Sequence, residues 1–424
     1  MKSTSRKLRV FSMLKACDLS CSRKKASGDW PGSSVETVAK PITSSKPIKI
    51  LHIITGLDVG GAEMMLARLI ENIDRNRFRC EVLSLAPPGD VARRIEGAGV
   101  NVHSLMMERR FFGVKTCQKL RSLVTEIAPD VVQGWMYHGN CAAWLASRMM
   151  PKQPPLFFNI RQCLYDLSRE KPLTRLVIYI GARLSSSTVG IVYNSQLSRR
   201  QHEALGYEAT KSIILPNGFD VNEFKPFKGA RERLRREIGL KSDAVLVGIV
   251  GRFHPMKDYY NFILAASRVL RQCDAYFVMV GRGLQRSNAQ LNAWLHSLDL
   301  NDRVFLLGER TDMPSLYPAL DLFVSSSNSE AFPNVVGEAM ASAVPCVVTN
   351  VGDSAALVGE TGKIVPPADA DALARGILSL LNLSEEKRRA LGAAARKRIR
   401  EYFAIHTVVR RYEFLYEEVL HGQN

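Results

Sequence analysis

Polar and apolar positions along this chain follow two alternating rhythms. Short apolar runs closed by Gly, Pro, Asn or Asp read as buried strands, and longer stretches with apolar positions three and four apart read as helices. The first run, residues 48–54, ends near Gly56 and is followed by a helix-period segment over 62–73. The unit then repeats, with strands expected at 80–85, 102–105, 131–134, 156–160, 190–193 and 212–215. Helices are expected at 91–98, 114–127, 140–149, 174–184 and 198–205. After a turn at Asn217-Gly218 and a linker at 225–229 the pattern restarts. Strands are expected at 245–250, 275–280, 304–307, 322–325, 346–349 and 363–365, with helices between them and three more near 371–380, 385–402 and 407–420.

Repeated strand–helix units of this kind imply parallel sheets covered on both faces. The expected fold class is α/β, with two Rossmann-like doubly wound domains facing across a cleft. The expected boundaries are a basic mobile extension over 1–46, a first domain over 47–223, a second over 224–402, and a terminal helix over 403–424 that packs back on the first. Ligands of such sheets bind outside the carboxyl ends of the strands.

Composition is that of a globular protein, 46% hydrophobic and 23% charged, and 424 residues suffice for two or three domains of roughly 150 residues. No apolar run reaches the ~18 residues of a membrane span. The first residues lack the apolar core and cleavage site of a secretory signal, so a cytoplasmic location is expected. The eight cysteines have no disulfide or zinc spacing; Cys17 and Cys21 stand four apart with no second pair. Net charge is +17, from 58 basic and 41 acidic residues. Residues 1–46 contribute ten basic against three acidic residues, 10 − 3 = +7. Arg231, Arg233, Arg235, Arg236 and the run 387–400 add to the excess. Phosphorylated small molecules, anionic lipid or nucleic acid would each suit it. Aromatics are not interleaved with the basic clusters, which argues against a single-strand nucleic-acid face.

Four constellations fall at strand ends. Glu330-Ala-Phe-Pro-Asn-Val-Val-Gly-Glu338 follows the strand at 322–325 and opens a helix. Carboxylates grip the vicinal hydroxyls of a sugar or ribose, and helix-start N–H groups add donors. Gly251-Arg252-Phe-His-Pro-Met-Lys257 presents two cations suited to a diphosphate. Gly60-Gly61-Ala62-Glu63 follows the first strand and lets backbone approach a phosphate. His138 follows the strand at 131–134, and Arg161 ends the strand at 156–160. Structural alternatives stand beside each: helix-dipole acids, a solvated basic loop, a tight turn, a core histidine, an interdomain ion pair for Arg161, and a positive-φ turn at Asn217-Gly218. Gly281-Arg-Gly283 lacks the third glycine of a dinucleotide fingerprint. Asp369-Ala-Asp371 reads as a helix N-cap rather than a metal site.

Together these segments resemble the retaining GT-B glycosyltransferases of family 4, over about residues 48–400. The acidic pair resembles the E-x7-E motif and Arg252 to Lys257 the G-R-x4-K motif. Ala331 and Ala343 stand where the family usually has Gly. The resemblance implies a hexosyltransferase that moves a hexosyl or N-acetylhexosaminyl unit from a nucleotide-sugar, expected to be a UDP-sugar, to a saccharide or lipid-linked acceptor in exopolysaccharide, capsule or lipopolysaccharide synthesis. It assigns Glu330, Lys257, Arg252 and His138 to catalysis. It assigns Gly61, Arg252, Lys257, Glu330, Phe332, Pro333, Asn334 and Glu338 to the donor, and Gly60, Arg161 and Asn217 to the acceptor side. No cofactor and no metal are implied. Peripheral contact with an anionic membrane is a further expectation; nucleic acid is not. A UDP-sugar 2-epimerase of the same architecture and a non-catalytic nucleotide-sugar-binding protein, its pocket spoiled by Ala331 or Ala343, are the competing readings.

Overall fold

The structure, a computed structural model, describes residues 46–107, 113–164 and 167–421. Apart from Lys46 the expected basic extension, with Cys17 and Cys21, lies outside these residues. The chain divides into two compact units, one of residues 1–218 with 405–424 and one of residues 219–404.

In the first unit the strands are β1 (Ile48–Ile54), β2 (Phe78–Ser84), β3 (Val102–Ser104), β4 (Val131–Trp135), β5 (Leu156–Ile160), β6 (Gly190–Tyr193) and β7 (Ser212–Ile214). They form one parallel sheet in the order β3-β2-β1-β4-β5-β6-β7. Between them lie α1 (Gly61–Asn72), α2 (Asp90–Gly97), α3 (Val114–Ile127), α4 (Met136–Met149), α5 (Pro172–Ser185) and α6 (Gln196–Ala204). Side chains of β1 alternate across the sheet, as a pleated strand requires. Leu51 and Ile53 pack with Leu120, Ala143, Ile178 and Ala182 under α3, α4 and α5. Ile50 and Ile54 pack on the other face with Leu66, Ile70 and Ile95 of α1 and α2.

The second unit carries α7 (Ala230–Glu237), β8 (Leu246–Val250), α8 (Tyr259–Leu270), β9 (Tyr276–Val280), α9 (Ala289–Ser297), β10 (Val304–Gly308), α10 (Met313–Leu316), β11 (Leu322–Ser325), α11 (Asn334–Ala341), β12 (Cys346–Thr349), α12 (Ser354–Val358), β13 (Gly362–Val365), α13 (Ala370–Leu381) and α14 (Glu385–Arg398). Its parallel sheet runs β10-β9-β8-β11-β12-β13. A π-turn at Ile399–Phe403 leads to α15 (Ile405–His421), which belongs to the first unit.

The boundary falls at Gly218/Phe219, five residues before the expected 223/224. Phe219 is the reason: its N–H donates to the Phe403 carbonyl at 2.9 Å and it bridges Ala404, so it is anchored in the second unit. The expected positive-φ turn at Asn217-Gly218 is absent, since neither residue has positive φ. Glycine is needed there for space. A Cβ on Gly218 would lie 2.6 Å from Ile405 Cδ1 and 2.9 Å from its Cα.

α15 closes the α1–α2 face of the first sheet with Val408, Tyr412 and Tyr416. Tyr412 stacks on Trp135 and accepts a hydrogen bond from Asn159 Nδ2 at 3.0 Å. Tyr416 donates to Gln133, and Glu413 accepts from the Asp74 N–H at 2.8 Å.

α7 was not expected, because its sequence ARERLRRE has almost no apolar period. It forms through charge. Arg235, fully buried, donates to Asp321 Oδ2 at 2.6 Å and to the Ala319 carbonyl at 2.8 Å, and Arg231 pairs with the same carboxylate. Arg396 donates to the Phe224 and Val221 carbonyls at 2.8 and 2.9 Å. Much of the arginine excess in this unit is thus internal structure rather than a partner surface.

Candidate functional site

In both units the motif residues flank the place where strand order reverses, between β8 and β11 in one and between β1 and β4 in the other. In the second unit β8 ends at Gly251, whose φ of +154 turns the chain, and Arg252 follows, exposed. Arg252 has no ion-pair partner among the described residues. Lys257 closes the short 3₁₀ turn Pro255–Lys257, where His254 Nδ1 accepts from the Met256 N–H at 3.2 Å. Asp258 then adopts φ +48 and caps α8 through Asn261 N–H at 3.3 Å.

This loop is tied to the one after β11. Ser326 Oγ donates to the Lys257 carbonyl at 2.7 Å, and the Asn328 N–H to the Met256 carbonyl at 2.8 Å. The result is a direct ion pair between Lys257 Nζ and Glu330 Oε1, with Ser327 Oγ donating to the same oxygen at 2.9 Å. Gly352, at φ +55, lets a turn press against the Glu330–Ala331 backbone; a Cβ there would strike the Glu330 and Ala331 carbonyls. The Asp353 N–H donates to the Ala331 carbonyl at 3.1 Å.

Pro333 is the N-cap of α11, Asn334 its first residue, and Glu338 lies just over one turn in. Tyr317, fully buried, donates to Glu338 Oε2 at 3.1 Å. Phe332 is buried between Phe219 and Phe403. Ala343 has φ +62 just past the far end of α11, with its N–H on the Met340 carbonyl and that of Val344 on the Ala339 carbonyl, both at 3.0 Å. It is a helix-terminating residue, a full helix away from Asn334, and does not intrude on the Lys257–Glu330 cluster. Asp369 Oδ1 caps α13 through the Ala372 N–H at 2.8 Å, as its sequence suggested.

In the first unit α4 begins at Met136, four residues before the expected start, because Met136 takes the left-handed conformation (φ +62) and turns the strand directly into the helix. His138 is therefore a first-turn side chain. Gly139 lets that turn approach β1, where a Cβ would sit 2.6 Å from the Ile53 carbonyl. His138 lines a cavity of about 670 Å³ with Thr55, Asp58, Glu63, Cys141 and Val177 among its other walls. Gly60 is the N-cap of α1 and Gly61 its first residue; the Glu63 carboxylate folds back into the space a Cβ on Gly60 would occupy. Burial pushes the Glu63 carboxyl above the usual carboxylate range, and the charge of Asp58 adds to the effect.

Arg161 and Asn217 are brought together, but under the surface. Arg161 is 7% exposed and Asn217 3%. Arg161 donates to Asn217 Oδ1 (Nε at 3.1 Å, and also through Nη2), to the Leu215 carbonyl at 3.2 Å, to Asn159 Oδ1 at 3.3 Å and to the Tyr412 hydroxyl at 2.8 Å. Burial pulls its pKa below the usual arginine value. No carboxylate takes part, so the ion pair weighed from sequence is replaced by a neutral-acceptor network.

The sequence reading missed Ser327, Tyr317 and Asp58, and quoted Glu63 without giving it a role. Ser327 lies three residues before Glu330, a spacing that could have been noticed. Tyr317 is 21 residues from Glu338 and only folding brings them together. Among the described residues no three His, Cys, Asp or Glu side chains converge as a metal site. No helix among them is long and apolar enough to cross a membrane.

Two family models match, "Glycosyltransferase Family 4" over residues 59–223 and "Glycosyl transferases group 1" over 230–398. The chain is 26% identical over 285 residues to N-acetyl-alpha-D-glucosaminyl L-malate synthase of Bacillus anthracis, covering 67% of this chain and 72% of that one. It is 30% identical over 182 residues to the Escherichia coli UDP-Gal:alpha-D-GlcNAc-diphosphoundecaprenol alpha-1,3-galactosyltransferase, covering 42% and 46%. Further relatives are glycosyltransferases of lipopolysaccharide core and capsule synthesis. Among solved structures, Anabaena HepE in complex with UDP and glucose superposes with a TM-score of 0.75 at 22% identity, over 87% of this chain and 99% of that one.

Proposed function

This chain belongs to the family 4 glycosyltransferases of GT-B fold and is a hexosyltransferase, and we propose that it transfers a hexosyl or N-acetylhexosaminyl unit from a UDP-sugar, with retention, to a hydroxyl of a saccharide or lipid-linked acceptor in surface polysaccharide synthesis. The observation that carries the reading is the ion pair of Lys257 with Glu330, which joins the loops after β8 and β11 where strand order reverses. The UDP-sugar donor is supported by the named donor of the E. coli relative.

Arg252 and Lys257 hold the diphosphate, and Lys257 exchanges its carboxylate partner for a phosphate oxygen as the donor enters. Glu330, released, accepts from sugar hydroxyls with the main chain of Phe332, Pro333 and Asn334, and Glu338 grips the ribose. In the first unit, Gly60 and Gly61 act from the start of α1 and His138 from the wall of its cavity. Arg161 and Asn217 act from beneath, holding the strand ends and α15. In the reaction the acceptor oxygen bonds to the anomeric carbon as the bond from that carbon to the phosphate oxygen breaks. The acceptor proton passes to the departing phosphate, so no protein nucleophile is required. The cations stabilise the charge that builds on the diphosphate, an effect worth about 3–4 kcal/mol per well-placed donor. No metal is needed for that neutralisation.

Incubation with labelled nucleotide sugars and a panel of acceptors tests the reading. Transfer is expected from a UDP-sugar, with the anomeric configuration kept by NMR and turnover unchanged by EDTA. Lys257→Ala is expected to lower kcat about a hundredfold. Epimer formation without an acceptor, inversion, binding without turnover, or normal turnover in Lys257→Ala would each overturn the corresponding part.

A further inference from the structure

The two faces of the first sheet differ sharply in charge. The helices α3, α4 and α5 carry Lys115, Lys119, Arg121, Arg148, Arg175 and Arg183 against one acid, Glu126. Across the sheet, α1, α2 and α15 carry seven acids against five basic residues. The basic face also holds large apolar side chains in water. Helix α5 buries Ile178, Gly181 and Ala182 against the sheet, yet Leu176, Tyr179 and Ile180 on its outer side are 54%, 48% and 41% exposed. The spacing 176, 179, 180, 183 is one helical stripe that ends on Arg183.

Lys171, at the N-cap, and Arg175 border the stripe at its other end, and α5 contains no acidic residue. None of these three cations is paired with a carboxylate among the described residues. On the neighbouring helix Trp144 reaches Ser187, just past the end of α5, at 2.9 Å, and Arg148 lies over the Trp144 ring. A helix with one face in the core and an apolar stripe flanked by free cations on the other matches a bilayer surface. Its aliphatic groups enter the acyl boundary, its tyrosine sits at headgroup level and its cations meet anionic phosphates.

We propose that the outer stripe of α5, Leu176, Tyr179 and Ile180 with Lys171, Arg175 and Arg183, docks this chain on an anionic lipid bilayer. The same helix supplies Val177 to the wall of the His138 cavity. Docking along α5 therefore brings the cavity next to the headgroup layer, where the sugar of a lipid-linked acceptor emerges; this last step rests on the glycosyl-transfer reading, the docking itself does not.

The test is flotation of the full chain with vesicles of phosphatidylcholine alone or mixed with phosphatidylglycerol. The wild type is expected to bind the anionic vesicles at least tenfold more tightly, and less so at high salt. Each cation near the surface is worth about fivefold (about 1 kcal/mol), so Arg175→Ser with Arg183→Ser should weaken binding about 25-fold. Leu176→Ser with Ile180→Ser should weaken it about tenfold or more on the same vesicles. Unchanged thermal unfolding and unchanged transfer to a water-soluble acceptor control for folding and chemistry, and transfer to a lipid-linked acceptor in vesicles should fall with binding. Binding within twofold of wild type in both variants would assign membrane contact to another segment and overturn the proposal. Loss in the arginine variant alone would overturn the apolar stripe. A dimer dissolved by Leu176→Ser and Ile180→Ser, with vesicle binding intact, would give the face to a second copy and also overturn it.

Discussion

Replacing Arg161 separates a residue that builds the site from one that touches substrate. Methionine keeps the apolar stem and removes the guanidinium. Asn159 still donates to the Tyr412 hydroxyl, so that group keeps a partner. The Leu215 carbonyl, Asn159 Oδ1 and Asn217 Oδ1 each lose a donor inside the protein, and each lost hydrogen bond costs about 1 kcal/mol. The expected loss is therefore about 3 kcal/mol for the first unit, with α15 loosened because its Tyr412 contact to Arg161 is gone. Denaturant unfolding followed by tryptophan fluorescence reads this directly, since Trp135 stacks on Tyr412. Limited proteolysis should cut the α15 end sooner. At a temperature well below the transition, turnover should stay within about threefold of wild type, because stability rather than transition-state contact has been removed. Unchanged unfolding together with a hundredfold fall in turnover would refute the structural assignment and return Arg161 to the acceptor.

Three other outcomes follow from the same geometry. Ala343→Gly should stabilise the second unit by about 0.5–1 kcal/mol in thermal unfolding, because the left-handed φ of +62 penalises a Cβ more than glycine's added unfolded-state freedom costs; a loss of stability would contradict it. Tyr317→Phe should raise KM for the nucleotide-sugar about fivefold, the worth of one hydrogen bond of about 1 kcal/mol, with kcat within twofold, and a fall in kcat alone would exclude a positioning role. Acid should weaken the first unit through His52 and His202, whose pKa values burial lowers to about 3 and about 4. The unfolded imidazoles take up protons near pH 6.5 while the folded ones stay neutral, so stability is full above that pH and falls as the pH drops towards the folded values. Between pH 7 and pH 5 each should cost about 2 kcal/mol. A stability flat over that range by urea titration would refute it.

The strands were legible because both faces of each sheet are buried, which writes β8 and β9 as continuous apolar runs. The Lys257 and Glu330 loops were legible because each follows such a run directly. What escaped depends on contacts distant in sequence or on unfavourable local chemistry. The start of α4 was misplaced because a methionine, not a glycine, takes the left-handed turn at 136. α7 was hidden because its buried member Arg235 is satisfied by Asp321, 86 residues on. The His138 cavity is walled by segments around residues 55, 85, 107, 138 and 177, so no single window shows it.

The return of the last helix has a consequence for how the chain is made. The whole second unit, 219–404, is synthesised after β7 and before α15 exists. At about 5–20 residues per second that interval lasts roughly 10–40 s. Throughout it, Trp135, Phe157 and their neighbours on the sheet wait without the tyrosines that will seal them. The nascent protein therefore exposes a sticky surface until α15 has emerged from the ribosome. A premature stop that spares every residue of the second unit would still leave the first one open for good.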